Sequence, residues 1–205
     1  MTQPDRTSPA YVRRRDRAVE DEAWIRAFLQ RAPVGVLATV SDGQPFVNSN
    51  LYVYDEAAHC IYTHTAKAGR TRSNIDAHGE RVCFSVMEMG RLLPAPEALE
   101  FSVEYAGVMI FGHAQTVGDE QEALHALQLI MDKYAPHLTP GEDYRPPVPE
   151  ELKRTAVFRI DIHEWSAKKK EVADDFPGAY WFPAESILES VRKRDHTGCD
   201  DGEGR

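Results

Sequence analysis

The sequence predicts a mainly β fold, in which six antiparallel strands and a few helices form a barrel, closed or split. Two observations carry this. Runs rich in Val, Ile, Tyr, Phe and Thr alternate with clusters of turn residues, and one pair of runs is joined by Ser41-Asp42-Gly43, a tight turn of hairpin type. Helical periodicity, in contrast, is confined to a few short stretches. Closing antiparallel strands on themselves removes the edges they would otherwise expose, although a two-sheet sandwich fits the same pattern.

Residues 1–18 are polar, Pro-containing and Arg-rich, and read as a flexible arm with too little apolar surface to offset the entropy of ordering. From Asp21 the pattern turns helical: Trp24, Ile25, Phe28 and Leu29 share a face, acids sit at the favourable N-terminal end, and Pro33 stops the helix. It is expected to lie over one end of the barrel. Val34 to Val40 is the first strand, with Val34, Val36, Ala38 and Val40 on one face. Pro45 to Tyr54 returns antiparallel to it, setting Val47, Ser49, Leu51 and Val53 against Phe46, Asn48, Asn50, Tyr52 and Tyr54. Both faces of that strand carry polar groups, which either bond within the sheet or line a cofactor edge.

The third strand opens at Cys60, the fourth spans Arg81 to Met89, and Gly90 to Glu100 is a loop of a length suited to a flap or an interface contact. Val103 to Val117 is a long strand with Gly107 and Gly112 as bends or points of close approach. Asp119 to Tyr134 is a helix opened by Asp119 and Glu122 in a capping-box arrangement, with Leu124, Leu127, Ile130, Met131 and Tyr134 as its buried stripe. Ala156 to Trp165 is the last strand, followed by the charged run Lys168 to Lys170. The tail holds the aromatics Phe176, Tyr180, Trp181 and Phe182, which pack on their own chain or on a partner, then a short helix from Ala184 to Arg194 and a polar end.

At 205 residues and 42% hydrophobic, the chain suits one domain with appendages, since domains commonly run to about 100–200 residues. The expected division is the arm (1–18), a barrel domain (19–172) and a partly disordered C-terminal extension (173–205). A net charge of −9 argues against a general nucleic-acid binder, whose affinity comes from clustered Lys and Arg; the run Arg13 to Arg17 reads as a solvated terminus. Three cysteines, Cys60, Cys83 and Cys199, include no CxxC pair, so neither a disulfide framework nor a zinc cage is indicated. The eight histidines include no helical HxxxH pair, and no metal site is expected. Neither a membrane span nor a leader is evident, and the expected location is cytoplasmic.

The most informative stretch is Cys60 to Gly79, CIYTHTAKAGRTRSNIDAHG: an apolar strand, a basic turn with Gly69, then a compact polar helix. Lys67, Arg70, Thr71, Arg72 and Ser73 place cationic and hydroxyl donors around the first helical turn, where unpaired backbone N–H groups and the positive end of the helix dipole favour a phosphate. The competing reading is a solvated turn in which Arg70 and Arg72 pair with Asp76 and Glu80.

Five segments stand in order between Asp21 and Lys170: VGVLATVSDGQPFVNSNLYVYD, IYTHTAKAGRTRSNI, ERVCFSV, EYAGVMIFGHAQ and VFRIDIHEWSAKKKE. Together they resemble the flavin-binding split barrels related to pyridoxamine 5′-phosphate oxidase, in particular the nitroimidazole-resistance (Nim-like) branch. The resemblance implies a six-stranded antiparallel split β-barrel of FMN-binding type, and an oxidoreductase that reduces a small oxidised aromatic, nitro compounds above all. On the family's pattern Lys67, Arg70 and Thr71, with Gly69, hold the phosphate. Thr63 and His64 line the sugar side or ring edge, His64 being also the catalytic candidate, and Asn48, Ser49 and Asn50 face the isoalloxazine.

Two departures stand out. The family's HGA reads His64-Thr65-Ala66, and its Ser-Arg-Lys run at the phosphate is reduced to Gly69-Arg70-Thr71, so FMN binds more weakly than in the oxidases or Lys67 replaces the missing charge. Alternatives to this reading are a flavin- or haem-binding protein without turnover, for storage or sensing, and a reductase using the deazaflavin F420. A small barrel is filled by its own side chains, so a flavin ring must lie on the outer wall and be covered. A homodimer with flavin at the subunit boundary is therefore expected, as the family likeness also implies.

Overall fold

The computed structural model describes residues 6–182. Its elements are β1 (Ala18–Val19), α1 (Glu22–Arg31), β2 (Gly35–Ser41), β3 (Gln44–Asn50), β4 (Tyr52–Asp55), β5 (Cys60–Ala66), α2 (Arg70–His78), β6 (Val82–Leu93), β7 (Ser102–Thr116), α3 (Glu120–Tyr134) and β8 (Thr155–Lys170). One antiparallel sheet runs in the order β3-β2-β6-β7-β8-β5-β4, with β1 added to β8.

The sheet has eight strands where six were expected, because β1 adds to β8 and Pro45 to Tyr54 is not one strand. The latter breaks at Leu51, where the chain leaves β2 as partner and takes up β5. The groups freed by the break are met by side chains: Thr63 Oγ1 donates to the Leu51 carbonyl at 2.9 Å, and the Tyr52 N–H donates to Tyr134 Oη at 3.0 Å. The two edge strands are thus consecutive in sequence, so the sheet is not closed by hydrogen bonds and the chain itself crosses the gap. This is a split barrel.

The chain divides into two compact units, Met1–Glu88 with Ala106–Lys169, and Met89–Tyr105 with Lys170–Arg205. In the first, α1 begins at Asp21, whose carboxylate accepts from the N–H groups of Ala23 and Trp24, and it delivers Ile25, Phe28 and Leu29 to the barrel core with Leu37, Tyr52, Phe84, Ile110, Phe158 and Ile160. Asp42 and Gly43 have φ of 51° and 76°, as the hairpin turn between β2 and β3 requires. The inward face of β2 is Gly35, Leu37 and Thr39, so the valine face read from the sequence points outward. A second core lies under α3, where Val53, Cys60, Tyr62 and Val157 meet Ala123, Ala126 and Ile130. Covered on both faces, β5 loses the alternation of a half-exposed strand. The contact stripe of α3 is centred on small alanines rather than on Leu124 and Met131, because a small side chain lets the helix approach the sheet closely.

Part of the segment read as an arm, among its described residues 6–18, is held in this unit. Val12 is buried, and Ala18 and Val19 pair with Lys168 and Ala167, which carries β8 on through the lysine run. At Gly112 a Cβ would stand 1.9 Å from the Asp161 carbonyl oxygen, so glycine there is a point of close approach.

In the second unit β6 continues to Leu93, four residues beyond the expected end, and the loop is correspondingly shorter. Leu92 and Tyr180 exchange backbone hydrogen bonds of 2.7 and 3.1 Å, so the aromatic segment is paired with its own chain as far as Tyr180, while Trp181 and Phe182 are exposed. The helix expected over 184–194, the polar end and Cys199 lie outside the described residues.

Candidate functional site

The basic stretch folds as β5, a bend, and α2. Gly69 is the N-cap residue and has φ of 149°, a conformation that L side chains rarely adopt, with open space where a Cβ would be. Glycine there is required by backbone geometry, and it brings no capping side chain. Asp21 caps α1 and Asp119 caps α3, but no side chain among the described residues caps α2. The first helical bond is Ser73 N–H to the Gly69 carbonyl, so the N–H groups of Arg70, Thr71 and Arg72 have no intrahelical acceptor and stand at the positive end of the dipole.

The two arginines of this turn have different fates. Arg72 pairs with Asp76 at 3.1 Å and donates to the Lys67 carbonyl, as the solvated-turn reading expects. Arg70 is exposed and, among the described residues, has no carboxylate partner; its guanidinium carbon lies 5.5 Å from the centroid of the Phe46 ring. Lys67 Nζ donates to the Leu152 carbonyl at 3.1 Å and has no carboxylate partner among the described residues. Sequence reasoning missed Lys153 and Arg154. The Lys67 N–H bonds the Arg154 carbonyl at 2.8 Å and Ala66 pairs with Thr155, so this second basic pair comes alongside the first. Its signal was the Lys-Arg step just before the last strand.

Alternation along β3 separates the three residues expected at the flavin ring. Asn48 and Asn50 lie opposite Leu37 and Gly35 on the inward face, whereas Ser49 lies opposite Val36 on the outward one. The asparagines are engaged with each other and with α2: Asn48 Nδ2 donates to Asn50 Oδ1 at 3.1 Å and to Thr71 Oγ1 at 3.2 Å, and Asn50 Nδ2 to the Asn48 carbonyl. One turn along, Asn74 Nδ2 donates to Thr39 Oγ1 at 2.8 Å. The start of α2 is thereby bolted to β2 and β3.

Thr63 is fully buried and spends its hydroxyl proton on Leu51. His64, opposite Val157 on β5, has a buried Nδ1 with no hydrogen-bond partner, which no other buried side-chain nitrogen or oxygen shows among the described residues. Burial lowers its pKa, so the ring is neutral near pH 7. Thiol chemistry is disfavoured: burial pushes Cys60 up to about 11 and also raises Cys83. Among the described residues no three His, Cys, Asp or Glu side chains converge to hold a metal ion, and no helix is long and apolar enough to cross a membrane.

The split barrel thus presents an uncapped, glycine-led helix start beside Lys67 and Arg70, which have no carboxylate partner among the described residues. The chain belongs to the pyridoxamine 5′-phosphate oxidase family, whose model matches residues 21–169. No curated protein matches it. Among solved structures it is similar to the flavocytochrome Anf3 of Azotobacter vinelandii, with 27% identity over 84% of this chain and 80% of that one and a TM-score of 0.69. An FAD- and haem-binding protein of Mycobacterium smegmatis shares 19% identity over 85% and 80% of the two chains, with a TM-score of 0.67. A Bacteroides thetaiotaomicron protein whose suggested role is 5-nitroimidazole antibiotic resistance shares 19% over 75% and 90%, with a TM-score of 0.60. The last two likenesses are of fold.

Proposed function

We propose that this chain is a flavin-dependent oxidoreductase that holds FMN by its phosphate at the first turn of α2 and reduces a small oxidised aromatic, nitro compounds being the class that the Nim-like likeness suggests. The observation that carries the reading is the open start of α2: among the described residues the N–H groups of Arg70, Thr71 and Arg72 show no acceptor and the Arg70 side chain no acidic partner. A phosphate dianion fits those donors: main chain and dipole meet it on one side, and the guanidinium fork can meet two of its oxygens on the other. Lys67 and Arg154 add charge in place of the basic residue missing after Arg70. When bound, the flavin supplies the electron transfer, and the protein supplies binding, orientation and the local field. His64, neutral and with Nδ1 free, is the side chain assigned to hold or move a proton at the cofactor edge.

The reading includes a homodimer. Val40, Val47 and Met87 are exposed and share the outward sheet face with Ser49, and an apolar wall of this kind calls for a cover. A second copy is the proposed cover, with the flavin ring between the two.

Two of the similar solved proteins are named for haem as well as flavin, which keeps a flavin- or haem-binding protein without turnover as the second reading, and F420 as a third ligand whose acidic tail would use Lys153 and Arg154. The absorption spectrum of the purified protein, before and after NAD(P)H, separates them. A flavin spectrum bleached by the nicotinamide, with one flavin per chain of a dimer by light scattering, supports the proposal. A Soret band, or a flavin that no nicotinamide reduces, supports the second reading.

A further inference from the structure

Phe46 was read only as a strand residue, and its environment does not explain it as core. It lies opposite Thr39 on the inward face of β3, is only partly buried, and belongs to neither apolar cluster. Among the described residues its ring contact is with the guanidinium of Arg70. Around that contact almost everything is already fixed. Thr71 is bonded to Asn48 and Asn74 to Thr39, so the backbone donors of the first turn are set before any ligand arrives. Arg70 is the exception: a long, exposed side chain with no hydrogen bond or ion pair among the described residues, free to spread over many rotamers unless something holds it. A guanidinium within about 6 Å of an aromatic centroid is attracted to the ring face, and a flat ring limits the planar fork in a way that an aliphatic side chain does not.

We propose that Phe46 is a positioning residue: its ring holds the Arg70 guanidinium over the open first turn of α2, so that the fork is already in place when an anionic group docks. The inference rests on the phosphate site described above. It also gives β3 a different part from the one its polar residues suggested. Its inward face, Phe46 with Asn48 and Asn50, braces the phosphate grip rather than the flavin ring. The ligand class that feels this device is one carrying a terminal phosphate; a flavin without phosphate does not engage Arg70.

The test is a double-mutant cycle read by flavin-fluorescence titration with two probes, FMN and riboflavin, on the full chain with Phe46→Leu, Arg70→Ala and both. Phe46→Leu is expected to weaken FMN about threefold to tenfold, the range of a partly exposed cation–π contact, to leave riboflavin binding unchanged, and to add nothing once Arg70 is alanine. Phe46→Trp, which keeps an aromatic face, should retain FMN affinity and serves should the leucine variant fold poorly. If Arg70→Ala weakens FMN while Phe46→Leu does not, or if Phe46→Leu weakens FMN and riboflavin alike or acts equally in the Arg70→Ala background, the positioning role is overturned and the phosphate site stands. If Arg70→Ala leaves FMN affinity unchanged, or the wild-type chain binds no FMN, the phosphate site itself is overturned and the role of Phe46 with it.

Discussion

Arg91 and Glu104 form a bidentate pair across the β6–β7 hairpin, Nε to Oε2 at 2.8 Å and Nη2 to Oε1 at 2.9 Å. The same guanidinium donates to the carbonyls of Val172, Ala173 and Asp174, and Glu104 Oε1 accepts the Val172 N–H at 2.9 Å. These bonds hold the Glu104 carboxyl at about 2, so the pair contributes stability above the unfolded value near 4.5 and loses it as pH falls from there toward 2. Glu104→Gln removes the charge-assisted part, about 1.5–3 kcal/mol for such bonds. The expected outcome is faster hydrogen exchange at the Val172 amide near neutral pH, with the difference from wild type narrowing below pH 4.

Gly35 faces Phe84 in the barrel core, and a Cβ there would lie 2.1 Å from the ring. Gly35→Ala forces the ring or the strand to shift and should cost about 1–3 kcal/mol, the usual range for overpacking. The midpoint of urea unfolding checks it, and Phe84→Leu in the same chain should recover part of the loss by making room.

Lys133 donates to the Leu29 carbonyl at 3.3 Å and lies 3.6 Å from the centroid of the Tyr52 ring. Burial brings it down to about 8 from an ordinary 10.5. The unfolded chain therefore binds more protons than the folded one between these values, and stability rises with pH from about 8 until the buried tyrosines begin to oppose it near 10. Lys133→Met should be the more stable protein at pH 7, with its advantage shrinking by pH 10 in urea unfolding. The ring faces act against this by favouring the cation, so an advantage that does not change with pH would show that they cancel the effect of burial.

What the sequence made legible was whatever depends on local chemistry. Asp21 and Asp119 announced their helices, Asp42-Gly43 its hairpin, and Gly69 with Arg70 the turn into α2. What it hid depends on partners distant in the chain. The break at Leu51 follows from a change of strand partner and from Tyr134, far along the sequence, and nothing in NSNLYVY marks it. The inward face of β2 was hidden because valines stand on one side and Gly35, Leu37 and Thr39 on the other, and the choice between them is made by the neighbouring strands and α2. Arg70 and Arg72 look alike in sequence, and it is the bonds to Asp76 and to the Lys67 carbonyl that mark Arg72 as the one that is occupied. Phe46 read as one more aromatic in a strand.

The central claim, a flavin phosphate gripped at the first turn of α2, is tested most directly by titrating FMN into wild-type and Arg70→Ala protein with flavin fluorescence as the signal. A charge-assisted contact of about 1.5–3 kcal/mol corresponds to a loss of roughly tenfold to a hundredfold in affinity. The account predicts a loss in that range for Arg70→Ala, with riboflavin binding unchanged. Equal FMN affinity in the two proteins would contradict it.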